Sequence, residues 1–165
     1  MTGLKEKILD ERAKRLKNIQ EKDFVQSGDY YLVFIINPDV FAIHVSHLLE
    51  VGKYQELFHV PLLPDYIPGV IFRSGKIIPV INIKTYFELR TPGLTSSDHV
   101  IFLEADGLIF GLLADRIKGL FTFSDEELFM NRELSLPKEI KGYFQNDIAL
   151  LSIENIAMKL RDISF

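Results

Sequence analysis

Pro64-Asp65-Tyr66-Ile67-Pro68-Gly69-Val70-Ile71-Phe72-Arg73-Ser74-Gly75-Lys76-Ile77-Ile78-Pro79-Val80-Ile81-Asn82-Ile83 is the stretch on which the fold turns. Pro64, Pro68 and Gly69 fix a turn, and a short apolar run at 70–72 follows. Ser74-Gly75 then reverses the chain into a second apolar run at 77–83. Pro79 stands inside that second run. A proline has no N–H to give a ladder, so it belongs at an edge, a bulge or a strand end. No acid, base or nucleophile is arranged here for chemistry. The stretch predicts an interrupted β-hairpin that serves contact rather than catalysis.

The chain around it has 165 residues, 47% of them hydrophobic and 25% charged, which fits one soluble domain or two small subdomains sharing a core. Without cysteine there is no disulfide, thiolate metal site or Cys nucleophile. The longest apolar runs, 30–36 and 108–114, fall far short of the roughly 18 residues that span a bilayer. The charged N-terminus lacks the apolar stretch of a signal peptide, so a cytoplasmic location without membrane insertion is expected. Residues 1–28 carry a balance of +2 and the remainder −6. A body this acidic argues against nucleic-acid binding, where phosphate neutralisation supplies most of the affinity.

Upstream of the hairpin, Leu4, Ile8, Ala13, Leu16 and Ile19 recur at helical spacing among charged residues, predicting an N-terminal helix over 4–23. A linker at 25–29 leads to the continuously apolar run 30–36, a strand expected to be covered on both faces. Asn37-Pro38-Asp39 is a turn, after which Phe41, Ile43 and Val45 alternate with Ala42, His44 and Ser46, a strand with one buried face. The segment 46–51 is ambiguous between a helical turn and a strand. Residues 60–68 form a loop, 85–89 a helical turn, and 91–98 a linker. The second half repeats the pattern. Ala105-Asp106-Gly107 and Asn146-Asp147 each join two apolar runs, Ser124 and Glu127 have capping-box spacing, and 154–160 predicts a last helix. About ten short strands with turns between them predict a mainly β chain of two small closed or nearly closed barrels, each of roughly 60–70 residues.

Candidate chemistry is sparse. His44 and His47 point to different faces of an extended chain, His59 and His99 stand apart, and no acidic residue joins them at ligand spacing, so no metal site is expected. Gly69…Gly75-Lys76 has one residue too many for a phosphate loop, and Ile77 where Ser or Thr is needed. In the acidic run Asp125-Glu126-Glu127, Glu127 caps rather than catalyses. The aromatics Tyr30, Phe34, Phe41, Phe72, Phe102 and Phe110 fall within apolar strands rather than beside Lys or Arg, so they predict core packing rather than base stacking. Function is expected in surfaces, with no catalytic residue and no cofactor. Two alternatives remain open: a nucleic-acid-binding double barrel, and an enzyme with a site in the cleft between barrels.

The chain resembles the CheW-like coupling-protein family of bacterial chemotaxis over about 31–160. Tyr31-Leu32-Val33-Phe34 with Phe41-Ala42-Ile43-His44-Val45 is similar to that family's first hairpin, and Leu49-Glu50-Val51 to its glutamate-bearing segment. Residues 64–83 resemble its most characteristic run, a proline and spacer, then Gly-Val-Ile-Asn-Leu-Arg-Gly, then Pro-Val-Ile-Asp-Leu. Gly111, Asp115 and Gly142 continue in order. The resemblance implies two intertwined five-stranded SH3-like barrels on a shared apolar core over 29–165, preceded by a helical extension at 1–28. It also implies a non-catalytic adaptor, with a chemoreceptor cytoplasmic tip and the regulatory domain of a CheA-type histidine kinase as partners. Leu48, Glu50, Ser74 and Gly75 match its receptor-binding positions, whereas the kinase-facing surface is left unassigned. Ser74 stands where the family has arginine, and Asn82 where it has aspartate. Arg73 is one residue away, an offset that in a strand turns a side chain to the other face, although a turn would relax it. Two readings of these departures stay open: neutral drift in a fold that tolerates it, or an altered partner, a divergent receptor or another array.

Overall fold

The computed structural model describes residues 29–89, 97–130, 135–145 and 147–163. The expected N-terminal helix, all of the 1–28 extension, most of the 91–98 linker and Asn146 lie outside the described residues.

Among the described residues ten strands appear in chain order: β1 (Asp29–Ile36), β2 (Asp39–His44), β3 (Leu48–Lys53), β4 (Gly69–Arg73), β5 (Lys76–Ile81), β6 (His99–Ala105), β7 (Leu108–Ala114), β8 (Arg116–Phe123), β9 (Ile140–Phe144) and β10 (Ile148–Leu151). Two helices, α1 (Ile83–Tyr86) and α2 (Ile153–Arg161), follow β5 and β10. The strands form two five-stranded sheets, ordered β8-β1-β2-β10-β9 and β3-β6-β7-β5-β4. The first sheet therefore takes two strands from the start of the chain and three from its end, and the second sheet comes from between them.

The two sheets repeat one plan. In each, an antiparallel hairpin (β1–β2, β6–β7) lies beside a second hairpin whose last strand runs parallel to it, β10 along β2 and β5 along β7. A helix follows that strand, capped by a side-chain oxygen. Asn82 accepts from the Lys84 N–H, and Ser152 from the Asn155 N–H. Closed barrels are not what the ladders form: among the described residues no ladder joins β8 to β9 or β3 to β4. A single bridge spans each gap instead, Phe58 to Val70 of β4 and Phe129 to Tyr143 of β9.

Burial follows from this plan. The largest apolar cluster lies between the sheets, with Phe34, Phe41 and Ile43 from the first, Ile101, Phe110 and Leu112 from the second, and Ile153, Ile156 and Leu160 from α2. Smaller clusters fill the hollow of each sheet: Tyr31, Val33, Phe123 and Phe144 in one, Ile71, Ile78, Val100 and Phe102 in the other. β1 is covered on both faces, as its unbroken apolar run requires. β2 departs from the expected single buried face. It is paired on both sides, and Ala42 packs with Tyr31 and Phe144 while Phe41 and Ile43 enter the shared core.

Local chemistry explains the turns. Ser74 and Gly75 have φ of 50° and 71°, and Asp106 and Gly107 49° and 82°, the positive values that two-residue hairpin turns require. The ambiguous segment is both things in succession, a 3₁₀ turn (Val45–His47) and then β3. Pro79 pairs with Val70, whose own N–H and C=O are given to Phe58 on the far side. That pair therefore exchanges no ladder bonds. Pro79 also lies one residue before the β5–β7 ladder, which starts at Val80. Its missing donor costs no bond. β8 is a strand without a counterpart in the sequence reading, an edge strand with a register shift opposite Val33 and Phe34.

Candidate functional site

The hollow of the second sheet opens at the tip of the β4–β5 hairpin into a groove of about 180 Å³, lined by Leu49, Glu50, Arg73, Ser74, Lys76, Ile78, Phe102 and Ile109. All five strands of the sheet contribute. Glu50 of β3 stands opposite Phe102 of β6, and Ile71 opposite Ile78 across the hairpin. Arg73 lies two residues beyond Ile71, on the same strand face, so its side chain points into the groove. Its Nη1 donates to Glu50 Oε1 at 2.5 Å, and its Cζ sits 4.8 Å from the centre of the Phe102 ring. β3 and β4 are the outer strands of this sheet, so the pair spans the gap the ladders leave. Both side chains are about 40–45% exposed, which limits the pair's contribution to stability to about 0–1 kcal/mol.

The expected site residues divide. Glu50 and Ser74 line the groove, and Gly75 completes the turn at its rim. Leu48 does not line it. The β3–β6 register shifts between Leu48 and Glu50, which makes Leu49 the extra residue; Leu48 packs on the shared core and Leu49 takes the groove position. At Arg73 the turn relaxes the strand offset. Ser74 belongs to the turn rather than the strand, so the two neighbours do not point to opposite faces. Phe72 does point away, and it is not core: it is 58% exposed and meets the Phe58 ring edge-on at 5.1 Å. Ile77, its cross-strand partner, is equally exposed. Asn82 is accounted for by the α1 cap, which needs an acceptor and no charge.

The groups with shifted acidity lie elsewhere. Burial raises Tyr31, Tyr66 and Tyr86, and for Tyr86 the hydrogen bond its hydroxyl gives Glu139 at 2.6 Å adds to the rise. At Glu154 desolvation acts upward, but a backbone hydrogen bond, Lys141 and His47 outweigh it and lower the carboxyl below its ordinary value. A depressed carboxyl contributes stability above its unfolded value and loses it as pH falls through the folded one. Acid titration should therefore erode stability below about pH 4.5, and Glu154→Gln should flatten that limb in pH-dependent urea unfolding. Among the described residues no three His, Asp or Glu side chains gather to hold a metal. No helix among them is long and apolar enough to cross a membrane. Glu127 takes the Ser124 N–H at 2.6 Å, the capping role expected of it.

The sequence matches the family described as CheW-like domain over residues 30–160, a span that takes in both sheets and α2. The chain belongs to the CheW-like family. Among its CheW-like relatives, chemotaxis protein CheW of Bacillus subtilis is 26% identical over 104 residues, 63% of this chain and 67% of that protein. Chemotaxis protein CheW of Treponema pallidum is 28% identical over 63% of this chain and 64% of its own length. The match to chemotaxis protein CheW of Thermotoga maritima is longer, 24% identity over 81% of this chain and 88% of that one. The scaffolding protein TtCheW from Thermoanaerobacter tengcongensis shares the CheW-like fold, with a TM-score of 0.69 at 22% identity over 78% of this chain and 86% of that structure.

Proposed function

We propose that this protein is a non-catalytic cytoplasmic adaptor that couples a chemoreceptor's cytoplasmic tip to the regulatory domain of a CheA-type histidine kinase. The observation that carries the reading is the CheW-like match across residues 30–160. We read each curled sheet as an SH3-like barrel left open between its outer strands, residues 29–165 as the working unit, and 1–28 as an extension to it.

An adaptor needs two surfaces, and the β4–β5 hairpin supports this by presenting different chemistry on its two faces. Arg73 turns toward the groove with Glu50, Ser74 and Lys76. Phe72 turns the other way and joins Phe58 and Ile77 in an exposed apolar patch. Such patches are characteristic of protein contacts. We assign the groove to the receptor and the patch to the kinase.

The test is a pull-down of the full chain against receptor-tip fragments and the kinase regulatory domain. Binding to both is expected, and folded protein that binds neither would overturn the reading. Phe72→Asp is expected to weaken kinase-domain binding by about 2 kcal/mol, the size of an aromatic anchor, while tip binding and the melting temperature hold. Equal kinase affinity for the variant would remove the patch from the proposal.

A further inference from the structure

We infer that Arg73, rather than the residue at position 74, is the cation by which this groove selects its partner, and that the groove selects a helix presenting a carboxylate beside an apolar side chain. The inference rests on the reading of the groove as the receptor-facing surface.

Position 74 is unsuited to the task in this chain. Ser74 is exposed in a two-residue turn at φ 50°, and its hydroxyl cannot form the paired, charge-assisted bonds of a guanidinium. Arg73 is held in place by two contacts of different kinds. The Phe102 ring supports the guanidinium, and Glu50 fixes one end of it. A guanidinium has five N–H donors. Glu50 is the partner recorded for them among the described residues, and the side chain remains 42% exposed. Donors are therefore oriented, open to solvent and available for a second carboxylate.

The surroundings define what that carboxylate is attached to. Lys76, the cross-strand partner of Arg73, also lines the groove, so its rim carries two cations against the one anion of Glu50. This is a positive spot on a body whose balance from residue 29 onward is −6, and it favours an acidic partner over a basic one. Beneath the rim, Ile78, Phe102 and Ile109 form an apolar floor, with Leu49 exposed at its edge. A helix with an apolar residue and an acid one turn apart places both on one face, the first reaching the floor and the second reaching Arg73.

The experiment uses the full chain and two probes. One is a pair of helical peptides identical except for a Leu-x-x-x-Glu or Leu-x-x-x-Gln stripe, read by amide shifts in NMR titration. The other is a soluble receptor-tip fragment, read by calorimetry. The Glu peptide is expected to shift groove amides around Phe102 and Ile109 and to bind several-fold tighter than its Gln twin. That preference should vanish in Arg73→Gln and fall at high salt. For the tip fragment, Arg73→Lys should weaken binding about tenfold, because lysine keeps the charge and loses the planar fork, with the melting temperature unchanged. Ser74→Arg should leave it within about twofold. Equal binding of the two peptides, an Arg73→Gln variant that keeps the preference, or a large gain from Ser74→Arg would each overturn the inference. An Arg73-dependent preference in a protein that does not bind the tip would uphold the inference and sink the receptor reading instead.

Discussion

Asp115→Ala is expected to cost about 3–5 kcal/mol of folding stability, the loss seen when one member of a buried ion pair is removed. Asp115 stands where the chain leaves β7 in the second sheet and enters β8 in the first, and its N–H donates to the Ile35 carbonyl at 2.9 Å. Its Oδ2 accepts from the Asn37 N–H at 2.8 Å and from Lys84 Nζ at 3.1 Å. The carboxylate thus joins the β1–β2 turn, α1 and the crossing between sheets. Both side chains are well buried, with 5% of Asp115 and 12% of Lys84 exposed. Alanine would take away the carboxylate to which a nearly buried ammonium donates and leave the Asn37 N–H without it. The pair's own net contribution is small, because its desolvation is uncompensated at Oδ1, which is buried with no hydrogen-bond partner among the described residues. Replacing both members by Asp115→Leu with Lys84→Met should therefore recover most of the loss. Urea unfolding of the two variants decides it. A single-variant loss below about 1 kcal/mol would mean that water reaches the pair.

This joint was only half visible in the sequence. Asp115 sat within the segment that pointed to a family, but nothing local marked it as the point where two sheets meet. Local signals read well where one residue type is forced by one geometry. Gly75 and Gly107 sit at positive φ, and the unbroken run ending at Ile36 matches a strand covered on both faces. Pairing between distant segments read poorly. β10 lies along β2 although Ile148 and its partner Val40 are over a hundred residues apart, and no period in either strand specifies the other. The edge strand β8 was weakest of all. β8 sets Ile117, Phe121 and Phe123 against Arg116, Lys118 and Thr122, a signal that was present, but Gly119, Leu120 and the register shift blunt the pattern. The groove was legible through Glu50 and Ser74, by resemblance. Leu49 and Arg73 were not, because a bulge and a turn each move a side chain by one position, and period-two reasoning carries such an error to the wrong face.

The same hairpin that presents both proposed surfaces depends on a close backbone approach at its root. Gly69→Ala is expected to cost about 3 kcal/mol, at the upper end for overpacking, and to disrupt the kinase-facing patch along with it. A Cβ at Gly69 would lie 2.6 Å from the Phe58 carbonyl oxygen and 2.9 Å from Leu57 Cβ. Neither can move away cheaply, because Phe58 and Val70 exchange two backbone hydrogen bonds of 2.9 Å each, the bridge that ties the chain beyond β3 to β4. Displacing Phe58 would also separate its ring from Phe72. Gly75→Ala is the control. Nothing lies within 4 Å of a Cβ there, so the substitution carries only the left-handed strain of φ 71°, about 1–2 kcal/mol, and leaves the bridge alone. Hydrogen exchange separates the two cases, since the Phe58 and Val70 amides should lose protection in Gly69→Ala and keep it in Gly75→Ala. The repeat in the fold extends the prediction to the other sheet: a Cβ at Gly142 would stand 2.9 Å from the Phe129 carbonyl oxygen, beside the bridge from Phe129 to Tyr143. Gly142→Ala should therefore expose the Phe129 and Tyr143 amides and spare those of Phe58 and Val70. Unchanged stability and protection in Gly69→Ala would show that these single bridges are not what hold the outer strands in place.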